Sequence, residues 1–395
     1  MKIAHLTPYL QDDAGRVITD LAVGQRAMGH HVTVVASRTG VPGYGNTQAH
    51  LDRLDESGVT TYLADSLFVR DYAANLSVVR LLGDVVGQQD GPDVIHAHGI
   101  AASLIGLMFA GRWRRPMGLL HTMHAWQVTK TAGQSAADVH VLNLVDRVVT
   151  SSAHAAEILR GLGVSGAHLR VVPYGVAEDP MEPDHRDIAV LEEIRRARKR
   201  GALVVACVGK GPHNDQALLV EAMSRLRQTS GALSCVGVFA GDGDVDTLAA
   251  SIRAQGLNGQ VIVRGQTRAA RLIAAEADVL MVSSRCDGQP MDVLEAFCDR
   301  TLVLASDTPE LSELVTDGIT GCRFAEGNAE ALARVIQAIA QRPDADRRAV
   351  IERARRRYEQ SHTLQGMLET YDAEYHVVAP ARSRPVRRHL RAANG

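Results

Sequence analysis

The sequence predicts an α/β protein made of two successive units of parallel sheet wrapped by helices. Short apolar, strand-like runs alternate with longer helical patterns along the whole chain, the signature of such sheets. At 395 residues there is room for two domains, each with a full core. The alternation is interrupted once, by a charged stretch at 184–200 (DHRDIAVLEEIRRARKR), after which a fresh strand pattern begins. Two units of similar size imply a cleft between them. Ligands of open α/β sheets bind beyond the carboxyl ends of the strands, so the loops after strands are where chemistry is sought.

The first unit, residues 1–183, offers strands at 3–6, 31–36, 59–63, 94–96, 118–121, 147–150 and 170–172. A helix over 17–28 joins the first two and ends at Gly29, a residue that closes helices readily. The stretch 184–199 reads as an interdomain charged segment, a solvated helix or linker with no chemistry assigned. The second unit, 200–361, offers strands at 203–208, 234–240, 260–264, 279–282 and 301–305. One long helical pattern, 344–375, follows that sheet. The tail, 380–395, carries five arginines and reads as disordered.

Composition excludes several classes. Charged residues make up 22% and the formal net charge is −2, so no global field draws the chain to nucleic acid or an anionic membrane. The five cysteines show no C-x-x-C spacing and read as reduced, in a cytoplasmic setting. No run approaches the roughly 18 apolar residues of a membrane span. Only four lysines occur, Lys2, Lys130, Lys199 and Lys210, so each invites a question.

The stretch 283–296 (SSRCDGQPMDVLEA) carries the most information. It follows an apolar strand, breaks at Asp287-Gly288 and restarts as a helix from Pro290, a residue suited to the first helical position. Asp287 in the loop and Glu295 just over a turn inside bracket free N–H groups and the positive end of the helix dipole, a seat for phosphate. Carboxylates accept hydrogen bonds from sugar hydroxyls, so the pair suits a nucleotide-sugar. The bland alternative is an ordinary loop with a capping acid. After the strand at 203–208 comes Gly209-Lys210-Gly211-Pro212-His213-Asn214, which is not a Walker loop. Its glycines permit close approach, and Lys210 is either a phosphate-binding point charge or a surface lysine in a turn.

Two adjacent strands of the first unit end in paired histidines, His96 with His98 and His121 with His124. Zinc is one reading, though such sites usually add a thiolate or carboxylate. The other is hydrogen bonding to substrate hydroxyls or a phosphate oxygen. His96 and His121, nearer the strands, also suit satisfied core positions. Asp242-Gly243-Asp244 matches a metal-binding D-x-D spacing, but its glycines more simply punctuate a strand-to-helix turn. The cluster Arg112-Trp113-Arg114-Arg115 reads as a helix end.

Taken together, these motifs resemble the GT-B-fold retaining glycosyltransferases of family 4 over nearly the whole chain. The resemblance is carried by Asp287-x7-Glu295, by the run 307–321 from Asp307-Thr308-Pro309 to Thr320-Gly321, by 171–176 (VVPYGV), by 29–34 (GHHVTV), and by Ala240-Gly241-Asp242-Gly243. It implies two Rossmann-like domains facing a central cleft, with a final helix, about 362–378, crossing back to brace the first. It further implies a retaining hexosyltransferase that needs no metal and no cofactor. Its substrates would be a UDP- or GDP-sugar donor and a hydroxyl acceptor, a small molecule, natural product or envelope precursor. Nucleic acid is not an expected partner, and peripheral membrane contact is not indicated.

Carried over by position, the resemblance assigns Glu295 to the ribose and Asp287 to the transferred sugar. Lys210 is assigned to the diphosphate and His124 to the sugar and reaction centre. Gly15, with Ala14, falls in the glycine loop near the diphosphate. Gly209, Gly288, Met291 and Asp292 complete the donor set, with Arg264 near the nucleobase. His98 joins His124 on the acceptor side. The chain departs from the family pattern where Asp287 replaces a glutamate, Lys210 an arginine, Asn214 a lysine, Pro309-Glu310 a glycine pair and Ala14 a glycine. Two rival expectations remain: a weakened paralogue that binds nucleotide-sugars, and another GT-B enzyme such as an epimerase or hydrolase.

Overall fold

The computed structural model describes residues 1–38, 40–65, 67–68, 71–86, 91–126, 129–178, 182–210, 216–229, 233–242, 245–283 and 289–380. The expected disordered tail lies outside them, apart from Pro380.

The first unit runs β1 (Lys2–Thr7), α1 (Asp12–Ala27), β2 (His31–Ser37), α2 (Gln48–Glu56), β3 (Thr60–Ala64), α3 (Tyr72–Val85), β4 (Val94–Ala97), α4 (Ile100–Arg112), β5 (Gly118–Met123), α5 (Ala132–Leu142), β6 (Arg147–Thr150), α6 (Ala153–Gly161) and β7 (Leu169–Val171). Its seven strands are parallel in the order β3-β2-β1-β4-β5-β6-β7. Strands covered on both faces read as continuous apolar runs, as in β5 and β6, buried at every residue. Gly29, at φ +89°, closes α1 as expected.

The second unit begins with α7 (His185–Lys199) and β8 (Leu203–Lys210) and continues α8 (Gln216–Thr229), β9 (Cys235–Asp242), α9 (Val245–Ala254), β10 (Val261–Gly265), α10 (Ala270–Glu276), β11 (Val279–Val282), α11 (Met291–Cys298), β12 (Leu302–Ser306), α12 (Pro309–Leu314), β13 (Cys322–Phe324) and α13 (Ala329–Gln341). The parallel order is β10-β9-β8-β11-β12-β13. The three-residue edge strand β13 was too short to stand out in the sequence.

Two expectations change. The charged stretch at 184–199, expected as a solvated helix or linker, is a helix with one side buried. Asp184 and Asp187 form a capping box that starts α7, and Val190, Leu191, Ile194 and Ala197 bury one stripe of it in the second unit's core. The long helix expected over 344–375 is two helices, α14 (Asp344–Ser361) and α15 (Leu364–Val378), broken at His362 and restarted by the Thr363 cap. The break is the crossing point: Val176 N–H donates to the His362 carbonyl at 2.9 Å, and Leu364 N–H donates back to Val176 at 3.2 Å. Any Cβ on Gly175 would meet the Thr363 carbonyl oxygen at 2.4 Å, so a glycine is required there.

Beyond the break, α15 lies on the first unit, as the resemblance implied. Tyr371 and Tyr375 are fully buried, and Glu374 pairs with Arg147 at 2.8 Å. No helix among the described residues is long and apolar enough to cross a membrane.

Candidate functional site

Each sheet has one place where successive crossovers leave in opposite directions, the switch point at which open α/β sheets bind ligands. In the first sheet it lies between neighbours β1 and β4, followed by the loop to α1 and by His98-Gly99. In the second it lies between β8, which ends at Lys210, and β11, which precedes Ser283. The two switch points face each other. Among the described residues an ion pair spans them: an Arg16 guanidinium N–H of α1 donates to the Glu295 carboxylate of α11.

On the second unit, α11 starts one residue later than expected, with Pro290 just before its first residue. Met291 is buried core, so its backbone rather than its side chain is what it offers a ligand. Glu295 is 8% exposed, one turn in. Gln289 fixes the approach to the helix by accepting the Tyr174 N–H at 2.8 Å. Lys210 sits in the last strand register of β8, opposite Asp242, rather than in a loop; its side chain lies outside the described residues, as do Asp287, Gly288 and Asn214. Asp292 lies on the first turn of α11.

Arg264 has its guanidinium turned to the inter-unit helix. It donates to Asp187 at 2.6 Å, Asp184 at 2.8 Å and the Gln266 carbonyl at 3.0 Å. Its side chain therefore ties β10 to α7, and only its backbone is left for a nucleobase.

On the first unit, Gly15 is buried at the start of α1, and a Cβ there would stand 2.5 Å from the Leu10 carbonyl carbon. The histidines form a connected system. His5 and His96 are register partners in β1 and β4. His5 Nε2 lies 2.7 Å from Gln25 Oε1, an acceptor, so His5 is protonated at Nε2. Its Nδ1 then accepts from His98 Nε2–H at 3.0 Å, His98 Nδ1 accepts from His124 Nε2–H at 3.0 Å, and His124 Nδ1 accepts from the Tyr174 hydroxyl at 2.6 Å.

A second branch leaves the same amide. Gln25 Nε2 donates to Tyr375 OH at 2.9 Å, which donates to His96 Nδ1 at 2.7 Å; His96 Nε2–H donates to Thr122 at 2.7 Å. Burial holds these rings neutral: it pushes His5 and His124 down to about 4 and lowers His96 and His98 well below the ordinary range.

Three consequences follow for the expected site. Both nitrogens of His98 and of His124 are used inside the protein, so neither is available to hydrogen-bond a sugar without breaking the chain. His124, part-exposed at the end of β5, presents a neutral ring held in place by Tyr174 and His98. His121 points to the opposite face, toward Ser103 at 2.8 Å, and does not converge with the others. Among the described residues, His5, His96 and His98 bring ring nitrogens within 4.8 Å of one another, but those nitrogens are occupied by protein partners. Arg16 and His5 were missed in the sequence; the β1–β4 register was the only signal for His5.

Elsewhere the interface is backbone-directed. The Glu313 carboxylate accepts from the Ala153 and His154 N–H groups at 2.8 and 3.0 Å, capping α6 from the other unit. Pro309, at the departure from the expected glycine pair, starts α12 behind its Thr308 cap.

Comparison with known proteins places this geometry. The family description Glycosyltransferase Family 4 matches residues 14–179, and Glycosyl transferases group 1 matches residues 193–342. The chain belongs to the family 4, group 1 glycosyltransferases. Among its relatives is the D-inositol 3-phosphate glycosyltransferase of Nocardia farcinica, 29% identical over 72% of this chain and 68% of that protein. The Kribbella flavida protein of the same name is 28% identical, the match spanning 64% of this chain and 63% of the relative. Against a putative glycosyltransferase, EpsD of Bacillus subtilis, identity is 24% over 76% and 81% of the two chains.

Solved structures agree on the fold. Anabaena HepE, crystallised with UDP and glucose, has a TM-score of 0.76 at 17% identity, covering 95% of this chain and all of its own. Sucrose-phosphate synthase from Thermosynechococcus elongatus scores 0.73 at 18% identity, covering 95% and 99%. This glycosyltransferase thus has the GT-B architecture: two Rossmann-like sheets, a cleft between them, and a last helix returning to the first.

Proposed function

We propose that this glycosyltransferase moves a hexosyl-type sugar, with retention of configuration and without a metal ion, from a UDP- or GDP-sugar to a hydroxyl acceptor. The observation that carries the reading is the facing of the two switch points, with buried Glu295 and the end of β8 on one side and the α1 turn and His124 on the other. Glu295 takes the ribose hydroxyls and Asp287 the hydroxyls of the sugar being moved. Crystals of HepE with UDP-glucose support a UDP-hexose as the first donor to try.

Breaking the sugar–phosphate bond builds negative charge on the leaving diphosphate while the sugar becomes cation-like. The Lys210 ammonium and the N–H groups opening α11 meet that charge in place of a divalent ion. One such preorganised donor is typically worth about 3–4 kcal/mol of barrier. The His124 ring, neutral at working pH with its acidity at about 4, acts here as a shaped wall beside the sugar rather than as a general acid. Glu295→Ala and Lys210→Ala are each expected to lower turnover at least a hundredfold, in a nucleoside-diphosphate release assay with EDTA present, both variants remaining folded. Full turnover in both variants removes the proposed site. Turnover that disappears in EDTA removes the metal-free step.

A further inference from the structure

The carboxylate that the donor's ribose needs is already engaged. Arg16 reaches Glu295 from the opposite domain, and the side chains are only 29% and 10% exposed. The turn that presents Arg16 is rigid, because Gly15 beside it has no room for a Cβ and Thr19 ties the next turn down by donating to the Gly15 carbonyl at 2.8 Å. Arg16 has a second acid on its own helix, Asp20 at 3.9 Å, but Arg53 holds that carboxylate at 2.5 Å. Glu295 is therefore the principal partner of Arg16.

In the sequence, the segment 209–215 (GKGPHND) holds a single lysine or arginine, Lys210, together with an acid, Asp215. A nucleoside diphosphate carries several negative oxygens, and its charge grows as the sugar departs. A guanidinium offers a planar fork of donors that fits phosphate as well as carboxylate. Arg16 is such a group, already at the cleft and within reach of α11.

We propose that Arg16 is a donor-exchange residue. It pairs with Glu295; when a nucleoside-diphosphate sugar enters, the ribose hydroxyls take Glu295 and the guanidinium passes to the diphosphate. The exchange rests on the donor-site reading above and adds to it a residue from the other domain. Both groups stay satisfied at either stage, Glu295 by the Arg16 guanidinium and then by the ribose hydroxyls that donate to it, which matters because a buried carboxylate stripped of all its partners is strongly disfavoured. It also makes the diphosphate, rather than the nucleoside, the part of the donor that links the two domains.

The test is calorimetric titration of UDP, uridine, GDP and guanosine into wild type, Arg16→Ala and Arg16→Lys. For the diphosphate that wild type binds, Arg16→Ala is expected to weaken affinity about 10- to 100-fold, the range of a lost charge-assisted hydrogen bond. The matching nucleoside should bind as before or more tightly, since Glu295 no longer has to be released. Arg16→Lys should fall between. Equal loss for diphosphate and nucleoside, or no loss for either, overturns the exchange and reduces Arg16 to an interdomain strut, with the donor site intact. Failure of wild type to bind any of the four removes the donor reading and the exchange together. Melting curves accompany each variant, and if Arg16→Ala does not fold, Arg16→Lys carries the same comparison.

Discussion

Gln25 sets the direction of the polar core, because its amide oxygen can only accept and its nitrogen can only donate. From that one side chain the proton positions of His5, His98, His124 and His96 follow. The direction has a measurable consequence. Tyr375 OH accepts from Gln25 and donates to His96, so Tyr375→Phe leaves two buried groups unpaired. Tyr371 OH meets Thr122 at 3.0 Å. Urea unfolding is expected to show a loss of about 1–3 kcal/mol for Tyr375→Phe and a smaller one for Tyr371→Phe; the reverse order would mean that the chain does not run from Gln25. At this scale the sequence was half legible. His96 and His121 read as core histidines, and both are buried. Nothing in a local window marks Arg16, whose partner lies 279 residues away, or shows that both nitrogens of His124 are spoken for.

Strands and their order along the chain were legible because parallel β-strands are buried on both faces and leave unbroken apolar runs. Helices that mix charge with a narrow apolar stripe were harder. In α7, charged residues outnumber the apolar ones, and only the spacing of Val190, Leu191, Ile194 and Ala197 betrays a buried side. Ile194→Ala is expected to cost about 2–5 kcal/mol in chemical unfolding, as for other fully buried aliphatics; a change near zero would mean that the segment is solvated all round. The α14–α15 break escaped notice because no glycine or proline announces it. The chain stops at His362 for a tertiary reason: the strand-like exit at Val176 pairs with it there.

As a whole, the molecule is two sheets held together, among the described residues, by groups that include the returning helix α15, backbone caps such as Glu313 on α6, and the Arg16–Glu295 pair in the cleft itself. Its polar core also makes it acid-sensitive. Burial holds His5, His124 and His362 at about 4 and His121 at about 3, whereas in the unfolded chain each takes a proton near 6.5. The unfolded state therefore binds more protons between those values, so this contribution to stability is complete above about pH 6.5 and is lost as pH falls toward about 4. An isolated group of this kind forfeits on the order of 2 kcal/mol by pH 5. Unfolding free energy measured at pH 7 and pH 5 should drop by at least that much; equal values would mean that the rings are already protonated in the native state.

The most direct measurement is a crystal structure of the protein grown with UDP in the presence of EDTA. The expected result is UDP between the end of β8 and the first turn of α11, with the ribose hydroxyls on Glu295 and no metal beside the phosphates. Nucleotide bound away from both switch points, or bound only once magnesium or manganese is restored, would contradict it.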